Sequence, residues 1–472
     1  MSEPKKVDRR KFIYAGLGAV ALIAIGAAAY VAMNPPVVTQ TVTTSTTVPT
    51  TSVVTTTVPT TSPTSITIHQ FIHANDPARQ YEVAMPAAWA KVNPNIRVVP
   101  IKMPSGYTEG ELLEVNTAKA RSPDIDIFNI DVIWGPLFAD NLWVEPLDDI
   151  LPPSEQSKFI PAMIDSMTWN KHIWAVPWMY DQGALWYRKD ILDEEGIKVP
   201  TVSEPGWTWD EFISICENLK EKYPDLAPYI VDQFKYEEIS CIWTEILASN
   251  GGAFFDEDGL IRVNDSQGVE ALQKWYDMVN KHKIFQPGTL SMQLDPARVM
   301  FVDDAKGIFH RNWNYVWGTS LEATSKVKGK IWVGAFPHFP GHQSAHCEGG
   351  WNWAISAGSL HKKEAKEYVK WLTSYDVMKA IMLAGGYSQA RIDLYNDPDI
   401  QKVWEPAGVY YNLAKYTVSR PKHPLYLQIS SFIQDRIHGC LSGLSTPKEA
   451  LDGLADDLAK LTGAGISPLV KK

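Results

Sequence analysis

Short β-branched runs alternate with helix-length stretches from Ile66 onward, and this alternation is the strongest local signal in the chain. Ile66–Ile72, Ile96–Ile101 and the apolar run Ile125–Ile130 read as strands. Between them, Tyr81–Val92 and Glu109–Lys119 carry helical spacing, and the first of these breaks at Asn93-Pro94-Asn95. Strand, helix, strand, helix, strand predicts a parallel sheet with helices on its faces, so the fold class is α/β. Trp174-Ala175-Val176-Pro177 and Gly183-Ala184-Leu185-Trp186-Tyr187 read as a strand entering a loop and another leaving it. Helical spacing follows at Trp209–Lys222, Cys241–Ser249 and Gln267–Lys281, and strand character returns at Lys306–Phe309 and Lys330–Phe336. Glu364–Ser374, Val377–Ala384 and Pro447–Leu461 close the chain as helices, the last opening on Ser445 or Thr446 as its N-cap.

Ahead of this pattern the chain behaves differently. Phe12 to Met33 are 22 residues without a charge, which as a helix cover roughly 33 Å, enough for a hydrocarbon core. Basic residues before the segment place its start inside and the body outside, so it reads as an anchor or an export signal. Asp8-Arg9-Arg10-Lys11 also has the look of a twin-arginine signal, and Ala27-Ala28-Ala29 offers a cleavage site. Val37 to Ser65 holds fourteen Thr, four Ser, three Pro and no charge. Such a tract has too little to bury to fold, and it reads as a tether of residues 34–65 with the composition of an O-glycosylated stalk. Asn264-Asp265-Ser266 is a sequon for N-glycosylation.

Composition sharpens the body. The chain has 472 residues, more than one ordinary core, which predicts two lobes. Its net charge is −10, yet the first eleven residues carry five basic against two acidic side chains, +3, leaving −13 on the remainder. An acidic body without a basic cluster excludes nucleic acid as partner. Four cysteines, Cys216, Cys241, Cys347 and Cys440, exclude a disulfide-rich scaffold, and Cys347–Cys440 or Cys216–Cys241 are the pairings considered. All 18 tryptophans lie beyond residue 88.

The motifs then point to a family. Val327-Lys328-Gly329-Lys330, Phe336-Pro337-His338-Phe339-Pro340-Gly341-His342 and Gly349-Gly350-Trp351 follow one another in order. Ile130-Asp131-Val132 with Trp134, Glu145-Pro146-Leu147-Asp148-Asp149, Tyr187-Arg188-Lys189-Asp190, Ser249-Asn250-Gly251-Gly252, Arg311-Asn312-Trp313 and Arg391-Ile392-Asp393 accompany them. This ordered set resembles the extracellular solute-binding proteins of sugar ABC transporters, and most of all the archaeal trehalose/maltose-binding type. The resemblance implies a two-lobe periplasmic-binding-protein fold of type II, maltose-binding-like, with hinge crossovers and a ligand cleft between the lobes. By analogy the crossovers fall near Ala175–Leu185, Asp304–Ile308 and Gly349–Gly358. The first lobe then combines residues 66–176 with 306–354, and the second 177–305 with 355–466. The implied partners are a sugar ligand and the permease subunits of an ABC transporter in the membrane, with a monomeric ectodomain and no cofactor.

A sugar offers apolar C–H faces and a rim of hydroxyls, so its site needs aromatic platforms beside charged or amide groups. Trp178, Tyr180, Trp313, Tyr315, Trp351 and Tyr387 are the candidate platforms. Asp131 and Asp181 are the candidate acceptors and Arg391 the planar donor, while Gly349 and Gly350 would let backbone amides approach the ligand. The competing roles are core packing for any Trp, a salt bridge to Asp393 or Asp397 for Arg391, and a helix cap for Asp131. Trp275 and Trp371 are expected in the core. Where the family carries an arginine in the helix before Asp131, Gly110 and Glu111 stand instead.

Other chemistries find weaker support. His338, His342 and His346 are spaced by four, but Pro337, Pro340 and Gly341 break the helix a metal site would need. Asp256-Glu257-Asp258-Gly259 lacks the closing glutamate of a calcium loop and reads as a turn. Neither G-x-S-x-G nor G-x-x-x-x-G-K-[ST] occurs, so nucleotide hydrolysis belongs to a partner. The alternative function is a surface-anchored glycoside hydrolase using two of the many carboxylates.

Overall fold

A computed structural model describes residues 65–73, 81–104, 107–200, 206–385 and 388–471. The expected membrane segment and its Thr-rich tether lie outside them, as does Tyr387; among the described residues no helix is long and apolar enough to cross a membrane.

The strands are β1 Ile66–Ile72, β2 Ile96–Lys102, β3 Ile127–Asp131, β4 Thr168–Trp169, β5 His172–Ile173, β6 Val176–Gln182, β7 Ala184–Arg188, β8 Ala227–Ile230, β9 Gly307–Asn312, β10 Ile331–Gly334, β11 His346–Ile355 and β12 Thr417–Val418. They build two main sheets, and β4 and β5 form a hairpin of their own. The first sheet runs β12-β11-β3-β1-β2, with β6 also on β11, and the second runs β10-β7-β9-β8. β1 pairs in parallel with β2 and β3, as the strand and helix alternation requires, whereas β11 runs antiparallel to both β3 and β6.

Helices α1 (Tyr81–Val92), α2 (Tyr107–Ala120), α3 (Trp209–Lys222), α4 (Glu237–Ala248), α5 (Ser266–Asp277), α6 (Lys362–Leu372), α7 (Tyr375–Leu383), α8 (Tyr426–Leu441) and α9 (Pro447–Thr462) surround these sheets. Their ends are chemically defined. Thr208 and Glu211 form a capping box at α3, and Thr446 and Glu449 do the same at α9, each pair satisfying two backbone N–H groups. Pro447 occupies the first turn of α9 and Gly463, at φ +74°, ends it. α8 was not anticipated from the sequence. Its buried face, Tyr426, Ile429, Ile433, Ile437 and Cys440, is nevertheless spaced by three and four, and it packs on α4 and α9.

Two cores result. In the first, Trp178 and Trp353 lie 4.5 Å apart between ring centroids, and Trp371 packs on Trp89. The second holds Trp209, Trp243 and Trp275. Trp275 is wholly buried and Trp371 partly so, both in packing roles as expected.

Sheet membership corrects the expected partition. β9 and β10 hydrogen-bond to β7 in the second sheet, although Val316, Trp317, Val327, Ile331 and Val333 of the same stretch pack in the first core, and α6 packs on β1 and β11 of the first sheet. The chain passes between the sheets at Gly183, within the expected 175–185. The other crossings run through 335–345 and 419–425, not 304–308 and 349–358. The reason lies in Arg311 of β9. It sits opposite Leu185 in the ladder and is wholly buried against Glu238 and Glu245 of α4, which fastens β9 to the second lobe.

Gly183 marks the first crossing sterically. A Cβ there would stand 1.9 Å from Glu245 Oε1 and 2.9 Å from Arg311 Nη2. Gly183→Ala is therefore expected to push Glu245 off Arg311 and to lower unfolding stability by about 3 kcal/mol, seen as a lower urea midpoint at unchanged slope. An unchanged midpoint would remove the steric role.

Candidate functional site

β3 of the first sheet ends at Asp131, and the residues after it turn at once into a short 3-10 helix, Val132–Trp134. Asp131 caps that turn, its Oδ1 accepting from Ile133 N at 3.2 Å. Tyr107, at the start of α2, donates to Asp131 Oδ2 at 3.3 Å, and Arg420 reaches Oδ1 at 3.6 Å. Arg420 also donates to Glu237 Oε1 at 2.7 Å and to the Glu348 carbonyl at 3.1 Å. It thereby ties the start of α4, in the second lobe, to the first sheet.

Trp351, opposite Asp131 in the β3–β11 ladder, keeps part of its ring open. His73 lies 4.2 Å from it between ring centroids, Trp134 6.0 Å edge-on and Tyr107 6.4 Å. Glu237 of α4 stands close to Asp131 and Glu111, and Glu238 follows it on the same helix. Trp313 donates its ring N–H to Glu238 Oε1 at 2.6 Å, and the Arg311 guanidinium lies 4.5 Å over its ring.

The electrostatics follow from burial of carboxyls near one another. Glu111, one turn along α2 from Tyr107, is partly buried near Glu237 and Asp131, and desolvation followed by those two carboxylates pushes its pKa up to about 7. Asp131 is raised to about 6, mainly by desolvation, with Arg420 and the Ile133 N–H pulling the other way. Glu111 thus holds its proton to a higher pH than an ordinary glutamate, and in that form it donates a hydrogen bond, whereas ionised carboxylates beside it accept.

The other candidates fall elsewhere. Trp178 is completely buried, with Tyr81 edge-on at 5.8 Å and Trp353 on its other side, so it is core and not a platform. Tyr180 is equally buried, its hydroxyl donating to Gln182 Oε1 at 2.6 Å and bonded to Thr417 Oγ1 at 2.8 Å. Asp181 is spent on the protein: its Oδ1 accepts from Gln182 N, Asn314 N and Tyr410 OH at 2.9–3.0 Å. Desolvation raises its pKa to about 7.

Arg391 takes the salt-bridge role, donating to both oxygens of Asp393 at 3.1 and 2.6 Å between the rings of Phe159 and Tyr375. It lines a separate pocket of about 200 Å³ that also includes Val176, and the run of β6 from Val176 to Asp181 is about 16 Å. The glycine pair serves packing: a Cβ on Gly349 would meet the Trp313 ring at 2.6 Å, and one on Gly350, at φ +139°, the Met179 carbonyl at 2.4 Å. Tyr315 is half-buried beside Trp313, Cys241 and Cys347. Tyr107, Glu237, Glu238 and Arg420 were missed by the sequence reading. For Arg420 only its place outside any helical pattern marked it, and that is no signal.

Aromatic rings and carboxylates side by side, at the junction of two α/β lobes, suit the holding of a polar solute, and a family model for extracellular solute-binding proteins of bacteria matches residues 74–379. The chain belongs to this family. A probable ABC transporter-binding protein of Deinococcus radiodurans is 28% identical over 386 residues, covering 80% of this chain and 89% of that relative. A maltotriose-binding protein of Pyrococcus abyssi is 24% identical over 310 residues, covering 61% and 59%. Among solved structures, maltose-bound MalE3 of T. maritima aligns over 84% of this chain and all of that one, with TM-score 0.76 and 29% identity. The fold is the two-lobe, maltose-binding-like one. In this solute-binding protein Asp131 and Trp351 lie opposite each other on β3 and β11, whereas the Trp178 and Tyr180 side chains are fully buried and Arg391 pairs with Asp393.

Because Glu111 holds its proton more tightly when folded, its contribution to stability is full below about pH 4.5 and is lost as the pH rises to about 7. Glu111→Gln should therefore stabilise the protein at pH 8, by on the order of 1 kcal/mol after solvent screening, and change nothing at pH 4. Thermal melts of both forms across that range check this; parallel curves would show that Glu111 is not strained by its neighbours.

Proposed function

We propose that this chain captures a di- or oligosaccharide of the maltose/trehalose type between its lobes, outside the cell, and hands it to the permease subunits of an ABC transporter. The observation that supports this reading is Trp351, partly exposed and opposite Asp131 in the β3–β11 ladder, with Glu111 and Glu237 close to Asp131. Stacking on C–H faces and hydrogen bonding to hydroxyls need those two kinds of group side by side. The relatives named above support the sugar class, and lobe closure about Gly183 supplies a state that the permease distinguishes from the open one. In this reading the body is a monomer, Phe12–Met33 anchors it and the Thr-rich tract spaces it from the membrane.

Titration calorimetry of the full-length chain with maltose, maltotriose and trehalose tests this. A saturable heat with unchanged sugar is expected; no heat with any of them, or released monosaccharide, would sink it. Trp351→Ala should weaken affinity by tenfold or more through lost stacking. Arg391→Ala should leave affinity unchanged while lowering the melting temperature, since its partner Asp393 and the rings of Phe159 and Tyr375 lie outside the cleft. Equal losses in both variants would move the cleft toward Arg391.

A further inference from the structure

Cys241 and Cys347 meet where the second lobe is fastened to the strands of the hinge. Cys241 lies in the first half of α4 and Cys347 is the second residue of β11. They are 1% and 0% exposed, and with Trp313 they form a small buried cluster apart from the two main cores. The two side chains share that cluster, and the Cys347 thiol donates to the Glu348 carbonyl at 3.4 Å. The backbones are held together independently of the sulfurs, because Cys347 N donates to Glu245 Oε1, farther along α4, at 3.3 Å. The pairings considered from sequence are not available. Cys216 is buried in α3 and Cys440 in α8, both inside the second core, and all four cysteines are thiols in this structure.

We infer that Cys241 and Cys347 form a disulfide under oxidising conditions, stapling α4 to the hinge end of β11. The fold already places the two side chains in one small cluster, and no other pair among the four shares a cluster outside the second core. The chemistry balances against an external low-molecular-weight disulfide. The Cys241 thiolate attacks one of its sulfurs and releases a first thiol. The Cys347 thiolate then displaces the second thiol from Cys241. Two electrons pass to the oxidant, and the two protein protons leave with the released thiols. Timing follows from burial. In the folded state desolvation holds the Cys241 thiol well above the ordinary thiol range, against the pull of the nearby Arg420 guanidinium, so the finished fold reacts slowly. The bond forms while α4 docks on β11, and once formed it is shielded from reductant.

The test is to refold the reduced, denatured full-length chain in a mixture of oxidised and reduced glutathione or in dithiothreitol, block thiols with N-ethylmaleimide in denaturant, and map the peptides by mass spectrometry. Expected in the glutathione arm are one Cys241–Cys347 cross-linked peptide, alkylated Cys216 and Cys440, and a melting temperature on the order of 5 °C above the dithiothreitol arm, from a closed loop of about 100 residues. Cys241→Ser should abolish both the peptide and the oxidant-dependent shift. Four alkylated cysteines in natively refolded protein, or a different pairing, would overturn the inference. The wild-type map decides it even where the serine variant folds poorly, and sugar affinity is not among its readouts, so its outcome stands apart from that of the proposed function.

Discussion

A guanidinium with 1% of its side chain exposed to water must have its charge answered inside the protein, and Arg311 is such a group. Glu245 takes its Nε and Nη2 at 3.1 and 2.8 Å, and Glu238 takes Nη1 at 2.5 Å. Both acids come from α4, so β9 cannot leave the helix without stranding a charge, a loss of about 3–5 kcal/mol when one partner of such a pair is removed. The same Glu245 accepts from Cys347 N on β11 and fills the space beside Gly183. One buried cation therefore sets how α4, the second sheet and the crossing strands sit on one another.

The cleft is built outward from that anchor. Glu238 turns its other oxygen to the Trp313 ring N–H, and the preceding residue, Glu237, pairs with Arg420, which reaches over to Asp131. The binding wall and the hinge share adjacent residues of one helix, so a change in lobe spacing alters the carboxylate environment directly. Burial, with the neighbouring carboxylates adding to it, raises Glu111 and Asp131.

Much of the fold was legible along the chain. The early strands and helices fall within a few residues of their expected bounds because β-branched runs and three-four spacing act locally. α8 was overlooked although its apolar face has the same spacing, since dispersed Ser, Gln and Asp between those positions masked it. The site was half legible. Asp131 and Trp351 are brought together by the ladder of β3 and β11, but Trp178 points into the core two residues before Tyr180, which is buried as well.

What the sequence determined by itself is the α/β character of the body, its capped helices, its acidic charge and the apolar segment ahead of it, all properties of neighbouring residues. Only the tertiary structure decided which sheet takes β9 and β10, which aromatic residues stay partly exposed, that Arg391 answers Asp393, and that Cys241 and Cys347 share one buried cluster. Those are matters of pairing between distant segments. Burial and charge compensation choose among partners that composition leaves equivalent, and the buried Arg311 made that choice for the hinge.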